Sequence, residues 1–281
     1  MEAVKSEIQW AIDVFNKYGI QTKIFKDKIV ISNYNQPENT TFSELGRDED
    51  ELIKNVSICE GCFDTRKSNL TTFPLVAARE IRLYDDTKIV QMPELKAVGL
   101  LVCNKTLKKL PKLKRAISIN MDESAIKTLP KLVEIDTLIA QNSKLEELNN
   151  LEKANKICII DCPIKDLKSL EQVQSLFICS SDENNKNQIL TLNNLEEVDK
   201  IFVANSELKS LPELKKANKI GLYNTNVKSI KKSIKAEIEI NSKISDDELS
   251  EKFDGFTNWY NSDILEKSMD LLGEVVNKIK S

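Results

Sequence analysis

Apolar residues recur along this chain with a period of about 19 residues between Leu75 and Ile240. In the copy that runs from Leu151 to Leu167, they occupy the first, fourth, seventh, ninth, fourteenth and seventeenth places. The seventh and ninth places share one face of a short strand, and the others line the return path. Successive copies begin at Leu75, Leu95, Leu113, Leu132, Leu151, Leu170, Leu195, Leu214 and, in degenerate form, near Ser233. Each copy has an apolar side that it cannot bury alone, so the pattern predicts a stacked solenoid.

A small polar residue stands at the twelfth place of every full copy, just after the predicted strand. These residues are Asp86, Thr106, Ser124, Ser143, Cys162, Ser181, Ser206 and Thr225. A buried turn leaves backbone groups that need hydrogen-bond partners, and a column of short polar side chains can supply them from the neighbouring coil. We therefore predict a structural role for this column.

The segment Ile220-x-Leu222-x-x-Thr225-x-Val227-x-x-Ile230 resembles the leucine-rich-repeat pattern Leu-x-Leu-x-x-Asn-x-Leu-x-x-Leu, with Thr, Ser or Cys where the family usually has Asn. The resemblance implies a leucine-rich-repeat solenoid of the α/β horseshoe class, β-dominated and with short irregular convex segments. It also implies a binding scaffold, because ligands differ from member to member of this family.

Leu-Pro pairs follow several of the predicted strands, at 110–111, 129–130 and 211–212. They are similar to the short bacterial kind of leucine-rich repeat, some of which occurs in secreted effector proteins. The resemblance covers roughly residues 52–242.

The N-terminal segment has a different pattern. Residues 2–18 carry an apolar stripe at helical spacing and are followed by Gly19, a good helix C-cap. The stripe comprises Val4, Ile8, Ala11, Ile12 and Phe15. Residues 20–25 and 28–32 read as a β-hairpin, and polar residues 35–50 as a loop or linker. We expect the α-β-β segment to cover the exposed edge of the first coil.

At the C-terminal end, Ser245-x-x-Glu248 is a capping-box sequence that opens a helix, and Ser262 or Asp263 starts a second one. The apolar stripe predicted for the second helix is Leu265, Met269, Leu272, Val276 and Ile279. Because open solenoid ends need covers, we expect this helix pair to be a C-terminal cap. The predicted domains are an N-terminal cap with linker at 1–51, a solenoid at 52–242 and a helical cap at 243–281.

Composition narrows the function classes. The 281 residues contain no histidine, which removes imidazole acid–base chemistry and most zinc sites. Cys59 and Cys62 form a C-x-x-C without a second ligand pair, so we interpret them as structural. We therefore predict no enzyme activity, no catalytic residues, no metal and no cofactor. With a net charge of −3, no global field draws the chain to nucleic acid or to a membrane surface.

The same data predict a compartment. Residues 1–15 carry Glu2 and Glu7 and an amphipathic pattern instead of an apolar run, so we expect no signal peptide. No apolar run in the chain is long enough for a membrane span. The six cysteines lack the paired terminal clusters of extracellular leucine-rich repeats, which indicates free thiols in a reducing compartment. We expect a cytoplasmic protein, or one delivered into a host cytosol if it is an effector.

Side chains at the sixth, eighth and tenth places should point away from the core, onto the concave strand face. Over the C-terminal coils these places are mostly apolar, where a solvated sheet should be polar. We predict a partner-binding patch there, formed by Ile139, Cys158, Ile160, Phe177, Cys179, Phe202 and Tyr223. Coils lie about 4.8 Å apart, so these residues would form one surface. Exposed apolar patches of this size usually bind something.

The predicted function is a non-catalytic protein-binding scaffold or adaptor that buries Phe177 and Phe202 against a protein partner. Two alternatives use the same patch: a terminal segment folds over it, or a second copy pairs with it in a homodimer or a larger self-assembly. The copy at Leu170 is six residues longer than its neighbours, and its polar insertion within Asp182–Gln188 is either a recognition loop or a tolerated insertion.

Overall fold

The computed structural model describes residues 2–35, 48–85, 87–129, 131–182, 187–228, 230, 236–241 and 262–280. Within these residues, helices span Glu2–Lys17 (α1), Glu49–Ile53 (α2) and Ser262–Lys280 (α3). The strands are β1 (Thr22–Phe25), β2 (Lys28–Ile31), β3 (Val56–Asp64), β4 (Ala77–Arg82), β5 (Ala97–Val102), β6 (Arg115–Asn120), β7 (Glu134–Gln141), β8 (Lys153–Ile160), β9 (Gln172–Cys179), β10 (Glu197–Ala204), β11 (Lys219–Tyr223) and β12 (Glu237–Asn241).

The predicted solenoid is confirmed: the repeats form turns of a β-solenoid, about nine in all, each contributing one strand. The chain divides into two compact units, Met1–Ile117 with Ser262–Ser281, and Ser118–Asn261. No helix of the described residues combines the length and apolar character that a membrane crossing requires.

The first unit begins with the predicted helix α1 and hairpin, both of which are confirmed. Gly19 ends α1 with φ at 73°, a left-handed conformation that glycine adopts without strain. Strand β1 pairs antiparallel with β2, and β2, β3, β4 and β5 then follow in parallel. Strand β3 and helix α2 precede the copy at Leu75 and were not resolved as elements by the periodicity. A capping role for α1 and the hairpin remains a prediction.

In the second unit, the end of β6 and strands β7 to β12 pair in parallel and in chain order. Equivalent places of successive copies lie side by side, so Ile157 of β8 is beside Leu176 of β9. The seventh and ninth places of each copy form what we term the core face of the strands, and Ile157 and Ile159 have no exposed surface there. The opposite side, which carries the sixth, eighth and tenth places, is the front face.

The chain turns after many of these strands through one left-handed residue at the eleventh place of the repeat. Five such residues have φ between 47° and 53°: Glu123, Asn142, Asp161, Asn205 and Asn224. Asn and Asp tolerate this conformation better than most residues because their short side chains bond locally. The twelfth place then turns back toward the core.

The predicted second C-terminal helix is confirmed as α3, but its position differs from the expected cap on the last coil. It packs on β4 and β5, and Leu272 joins Val30, Ile58, Ala77 and Ala97 in a buried cluster on the front face of the first unit. The helix predicted to open at Ser245 lies outside the described residues.

The apolar stripe of α3 also differs from its prediction. Ile264, Leu271 and Leu272 are buried, as is Ser268, whereas Met269 is 60% exposed. Leu272 was assigned correctly and Met269 was not, and the side chains of Leu265, Val276 and Ile279 lie outside the described part of the structure. The buried face is therefore rotated by about one residue from the predicted stripe.

Candidate binding surface

All seven residues predicted to bind a partner come together in one cluster in the second unit. Ala204 completes the cluster of Ile139, Cys158, Ile160, Phe177, Cys179, Phe202 and Tyr223. The strand register explains this, because Phe177 lies beside Cys158 on one side and Phe202 on the other. The rings of Phe177 and Phe202 stack at 4.6 Å, and that of Tyr223 follows at 5.1 Å from Phe202.

The predicted exposure of this cluster is wrong. Its members are between 0% and 6% exposed, and Phe177 has no exposed surface. Alternation along the strand assigned the front face correctly, but accessibility depends on packing by residues distant in sequence, which a local pattern does not reveal. Burial also raises the pKa of the Cys158 and Cys179 thiols well above the ordinary value, so they stay protonated. In the single chain these residues form a second core.

A polar group on the front face of the first unit is more accessible. It consists of Asp64, Arg66, Glu80, Arg82 and Tyr84, and we call it the Arg-Tyr patch. Strand register places Asp64 beside Arg82. Arg66 follows two places later and lies over the ring of Tyr84, with its guanidinium carbon 5.4 Å from the ring centroid.

Each arginine of the Arg-Tyr patch is held by a buried carboxylate. Asp64 is 6% exposed and accepts hydrogen bonds from Arg66 Nε and Nη2, the latter at 2.8 Å. Glu80 is 4% exposed and pairs with Arg82 Nε. The side chains of Arg66 and Arg82 are 66% and 38% exposed. Both guanidiniums are thus held by a buried carboxylate while the arginine side chains remain partly exposed.

Backbone contacts hold the same region in place. Thr65 N donates to Arg82 O at 3.1 Å, and Tyr84 N donates to Thr65 Oγ1 at 3.2 Å. Arg66 N also donates to Asp64 Oδ1 at 2.9 Å. These bonds fix the backbone beneath Arg66 and Tyr84, so the patch is attached to rigid strand ends.

Sequence reasoning missed the Arg-Tyr patch because Asp64 and Arg66 precede the first copy at Leu75. One compositional signal was available: all five arginines of the chain, at 47, 66, 79, 82 and 115, lie before residue 116. Lysine shows no such bias. Arginine is enriched at protein interfaces, where lysine is depleted.

The two cysteines of the C-x-x-C pair lie on β3 in different surroundings. Cys59 lies in register with Ala78 and is buried, whereas Cys62 lies beside Glu80 across a register shift in β3. Burial raises the pKa of each thiol to about 12. All six cysteines are free thiols. Among the described residues, no group of three or more Cys, Asp or Glu side chains has the arrangement to hold a metal ion.

Comparison of the chain with known protein families, with characterised proteins and with solved structures gives no match.

Proposed function

We propose that this chain is a non-catalytic protein-binding scaffold of the leucine-rich-repeat kind, and that its contact surface is the Arg-Tyr patch. The observation that carries the proposal is the pairing of two partly exposed arginines with two buried carboxylates, Asp64 and Glu80, at the ends of β3 and β4. The chain has the composition expected of a cytoplasmic protein, and we propose that it acts there or in a host cytosol.

Preorganisation makes this surface suitable for binding. A flexible arginine loses rotamer freedom when it binds, and that loss weakens the complex. In the Arg-Tyr patch, Asp64 and the ring of Tyr84 already restrict Arg66, so less freedom is lost on binding. Arginine and tyrosine are also the residue types that most often dominate interface energies.

The chemistry of the patch favours a protein segment that offers hydrogen-bond acceptors. A guanidinium has five N–H donors in a planar fork, and the pair with Asp64 engages only the Nε and Nη2 side of Arg66. A partner carboxylate or backbone carbonyl can accept from the remaining donors. The ring of Tyr84 adds an amphipathic surface beside them.

The proposal is tested by capture of partners from a lysate of the source cell. Wild type is compared with the double variant Asp64→Asn/Arg66→Gln, which removes both charges and leaves no unpaired buried carboxylate. A captured protein is then purified and titrated against both chains by calorimetry. We expect the double variant to bind it at least about tenfold more weakly, the scale of an interface hot spot.

A matched control removes an ion pair from another place. Lys127 and Glu146 form an exposed pair between neighbouring coils, and Lys127→Gln/Glu146→Gln should leave the affinity unchanged. Equal affinity of wild type and the Asp64/Arg66 variant would reject the Arg-Tyr patch as the binding surface. Equal loss in both double variants would show a nonspecific charge effect and would also reject it.

A further inference from the structure

The last strand of the second unit has two exposed apolar side chains. Ile238 and Ile240 of β12 lie in register with Ile220 and Leu222 of β11, both of which have no exposed surface. Ile238 and Ile240 are nevertheless 42% and 48% exposed. Among the described strands, β12 pairs only with β11, so its other edge has backbone N–H and C=O groups available for pairing.

The first strand of the first unit has the same character. Ile24 of β1 lies in register with the fully buried Ile29 of β2, yet it is 60% exposed. Within the described residues, β1 pairs only with β2. Three of the seven large apolar side chains that are exposed in the described chain are on β1 and β12. Exposed apolar edges of this kind are usually avoided in proteins that stay monomeric.

The front faces of these two strands carry opposite charge. Glu237 and Glu239 of β12 lie in register with front-face residues of β11, and Glu237 is 72% exposed. On β1, Lys23 lies beside Val30, which belongs to the front cluster of the first unit. Its side chain is 70% exposed. An acidic edge and a basic edge therefore accompany the two sets of exposed isoleucines.

We propose that β12 of one copy pairs with β1 of a second copy in a head-to-tail contact. Matching core face to core face and front face to front face makes the two strands antiparallel, because β1 runs against the parallel strands of its own unit. Ile238 and Ile240 then lie beside Ile24, and the glutamates of β12 lie beside Lys23. The free backbone groups of both edges become hydrogen-bonded.

Such a contact is heterologous, since each copy contributes a different strand. Each copy keeps one free edge after pairing, so association continues beyond a dimer into a closed ring or an open filament. The inference uses surfaces outside the Arg-Tyr patch and does not depend on the function proposed above.

The experiment is a charge swap followed by sedimentation velocity and light scattering of the purified full chain. Glu239→Lys is the variant for β12, because the residue directly beside Glu239 on β11 is the uncharged Gly221. Lys23→Glu is the variant for β1. We expect wild type to form concentration-dependent species larger than a dimer, and each single variant to associate about tenfold more weakly, since like charges then oppose each other.

An equimolar mixture of the two variants tests whether complementary charge between the two edges drives association. In the mixture, the β12 edge that carries Glu239→Lys meets the β1 edge that carries Lys23→Glu, so opposite charges face each other again. The unmodified edges of the two variants also match. Association should return to the level of wild type. The double variant in one chain should behave in the same way.

Each charge variant also loses a contact within its own chain, and two control variants lose a similar contact elsewhere. Lys23 forms an exposed ion pair with Glu60, and Lys127→Glu disturbs a similar pair with Glu146 away from both edges. Glu239 accepts a hydrogen bond from Asn241, as Glu207 does from Asn226, so Glu207→Lys is the second control. Both controls should assemble like wild type, as should Asp64→Asn/Arg66→Gln.

The proposal is overturned by a wild type that remains monomeric at every concentration, or by a mixture that does not regain association. Should a charge variant lose its circular dichroism signal, Ile24→Lys and Ile240→Lys replace it, because both side chains are exposed and tolerate a lysine. Undiminished assembly of these two variants would likewise reject the edge contact.

Discussion

Short polar side chains hold the turns between coils together. Ser143 is 3% exposed, its Oγ accepts from Leu145 N at 3.3 Å, and it lies 3.2 Å from Cys162 Sγ. Cys162 in turn donates to Ala140 O in the preceding coil at 3.3 Å. Ser206 repeats the local bond, with Leu208 N donating to its Oγ. The predicted bonding between the polar column and neighbouring coils is confirmed at these positions.

Removal of the Ser143 hydroxyl tests this role. In Ser143→Ala, Leu145 N loses a buried acceptor, and we expect a loss of about 1–3 kcal/mol in the free energy of unfolding, measured by urea denaturation. Ser181→Ala is the control, because Ser181 is exposed and its change should be within about 0.5 kcal/mol of wild type. An unchanged stability of Ser143→Ala would show that the column has no energetic role.

The exposure of Ser181 shows that the twelfth place was predicted wrongly in the copy that begins at Leu170. In this long copy the structural equivalent is Asn187, which forms a bridge with Ser206 and accepts from Ile189 N at 3.0 Å. The six extra residues lie between the strand and this position. Counting twelve places from the leucine that opens each copy identifies the polar residue correctly where copies have equal length. Counting alone cannot show where in a longer copy the extra residues are inserted.

Helix α3 depends on a close approach to β5. A Cβ added at Gly99 would lie 2.3 Å from Ser268 Cβ and 2.4 Å from Arg79 O. Two small residues thus let the helix lie directly on the front of the strand. Arg115 Nη2 and Glu274 Oε2 form an additional ion pair at 2.7 Å on the surface of this contact.

Enlarging Gly99 should loosen that helix. We expect Gly99→Ala to cost about 1–3 kcal/mol, because the added methyl group overlaps a side chain and the backbone of β4. Hydrogen exchange of the α3 amides should accelerate. Gly273→Ala, in the same helix with nothing within 4 Å of its added Cβ, should stabilise α3 by up to about 1 kcal/mol. Unaltered exchange in Gly99→Ala would show that this contact does not hold the helix.

The sequence predicted that α3 is a helix but not where it packs. Helical periodicity depends on neighbouring residues, whereas docking depends on which sheet surface accepts the helix. Gly99 and Ala97 were the available signals, since small residues on the front of β5 leave room for a helix. The buried face of α3 also includes Ser268, a polar residue. A search for apolar residues alone therefore selects the neighbouring Met269 instead.

Helix α2 is attached to the first coil through two adjacent carboxylates. Glu49 is buried and accepts from the Tyr34 hydroxyl, from Ser68 Oγ at 3.1 Å and from Asn69 N at 2.7 Å. Burial, together with the charge of Glu49, raises the pKa of Tyr34 well above its ordinary value. The phenol therefore remains a donor to Glu49 throughout the neutral range.

The neighbouring Asp50 makes this attachment sensitive to acid. Burial alone would raise the pKa of Asp50, but hydrogen bonds from Thr71 and Thr72 outweigh it and lower the pKa below the ordinary 3.8. When folding lowers the pKa of a carboxyl group, the stabilisation is fully present above the unfolded-state pKa. It is lost as the pH falls through the folded-state pKa. Wild type should therefore melt well above Asp50→Asn at pH 7, and the difference should shrink below about pH 4 in calorimetric scans. A difference that is independent of pH would contradict an ionised acceptor at this position.

Repeat proteins gain much of their stability from contacts between neighbouring coils. The seventh and ninth columns were predicted to be core, and their burial in the eight full copies confirms it. From β8 to β11 the eighth and tenth places are buried as well, so these strands are buried on both faces. The sequence showed an apolar front but could not distinguish a surface awaiting a partner from one covered by its own chain. That distinction depends on tertiary packing.

Charged substitutions in the buried front-face cluster of the second unit test whether this cluster acts as a second core. In Phe177→Glu/Phe202→Glu, two carboxylates replace stacked rings that are 0% and 6% exposed, and each buried charge without a partner costs several kcal/mol. We expect the double variant to lose the folded second unit. Hydrogen exchange should then show unprotected amides from β7 to β11, with protection kept longer in β2 to β5, since coils depend chiefly on their neighbours. Leu190→Glu, at a side chain 45% exposed in the same unit, should remain folded. A double variant with native exchange would mean that the front face opens to solvent, and the apolar cluster would again be a candidate surface for a partner.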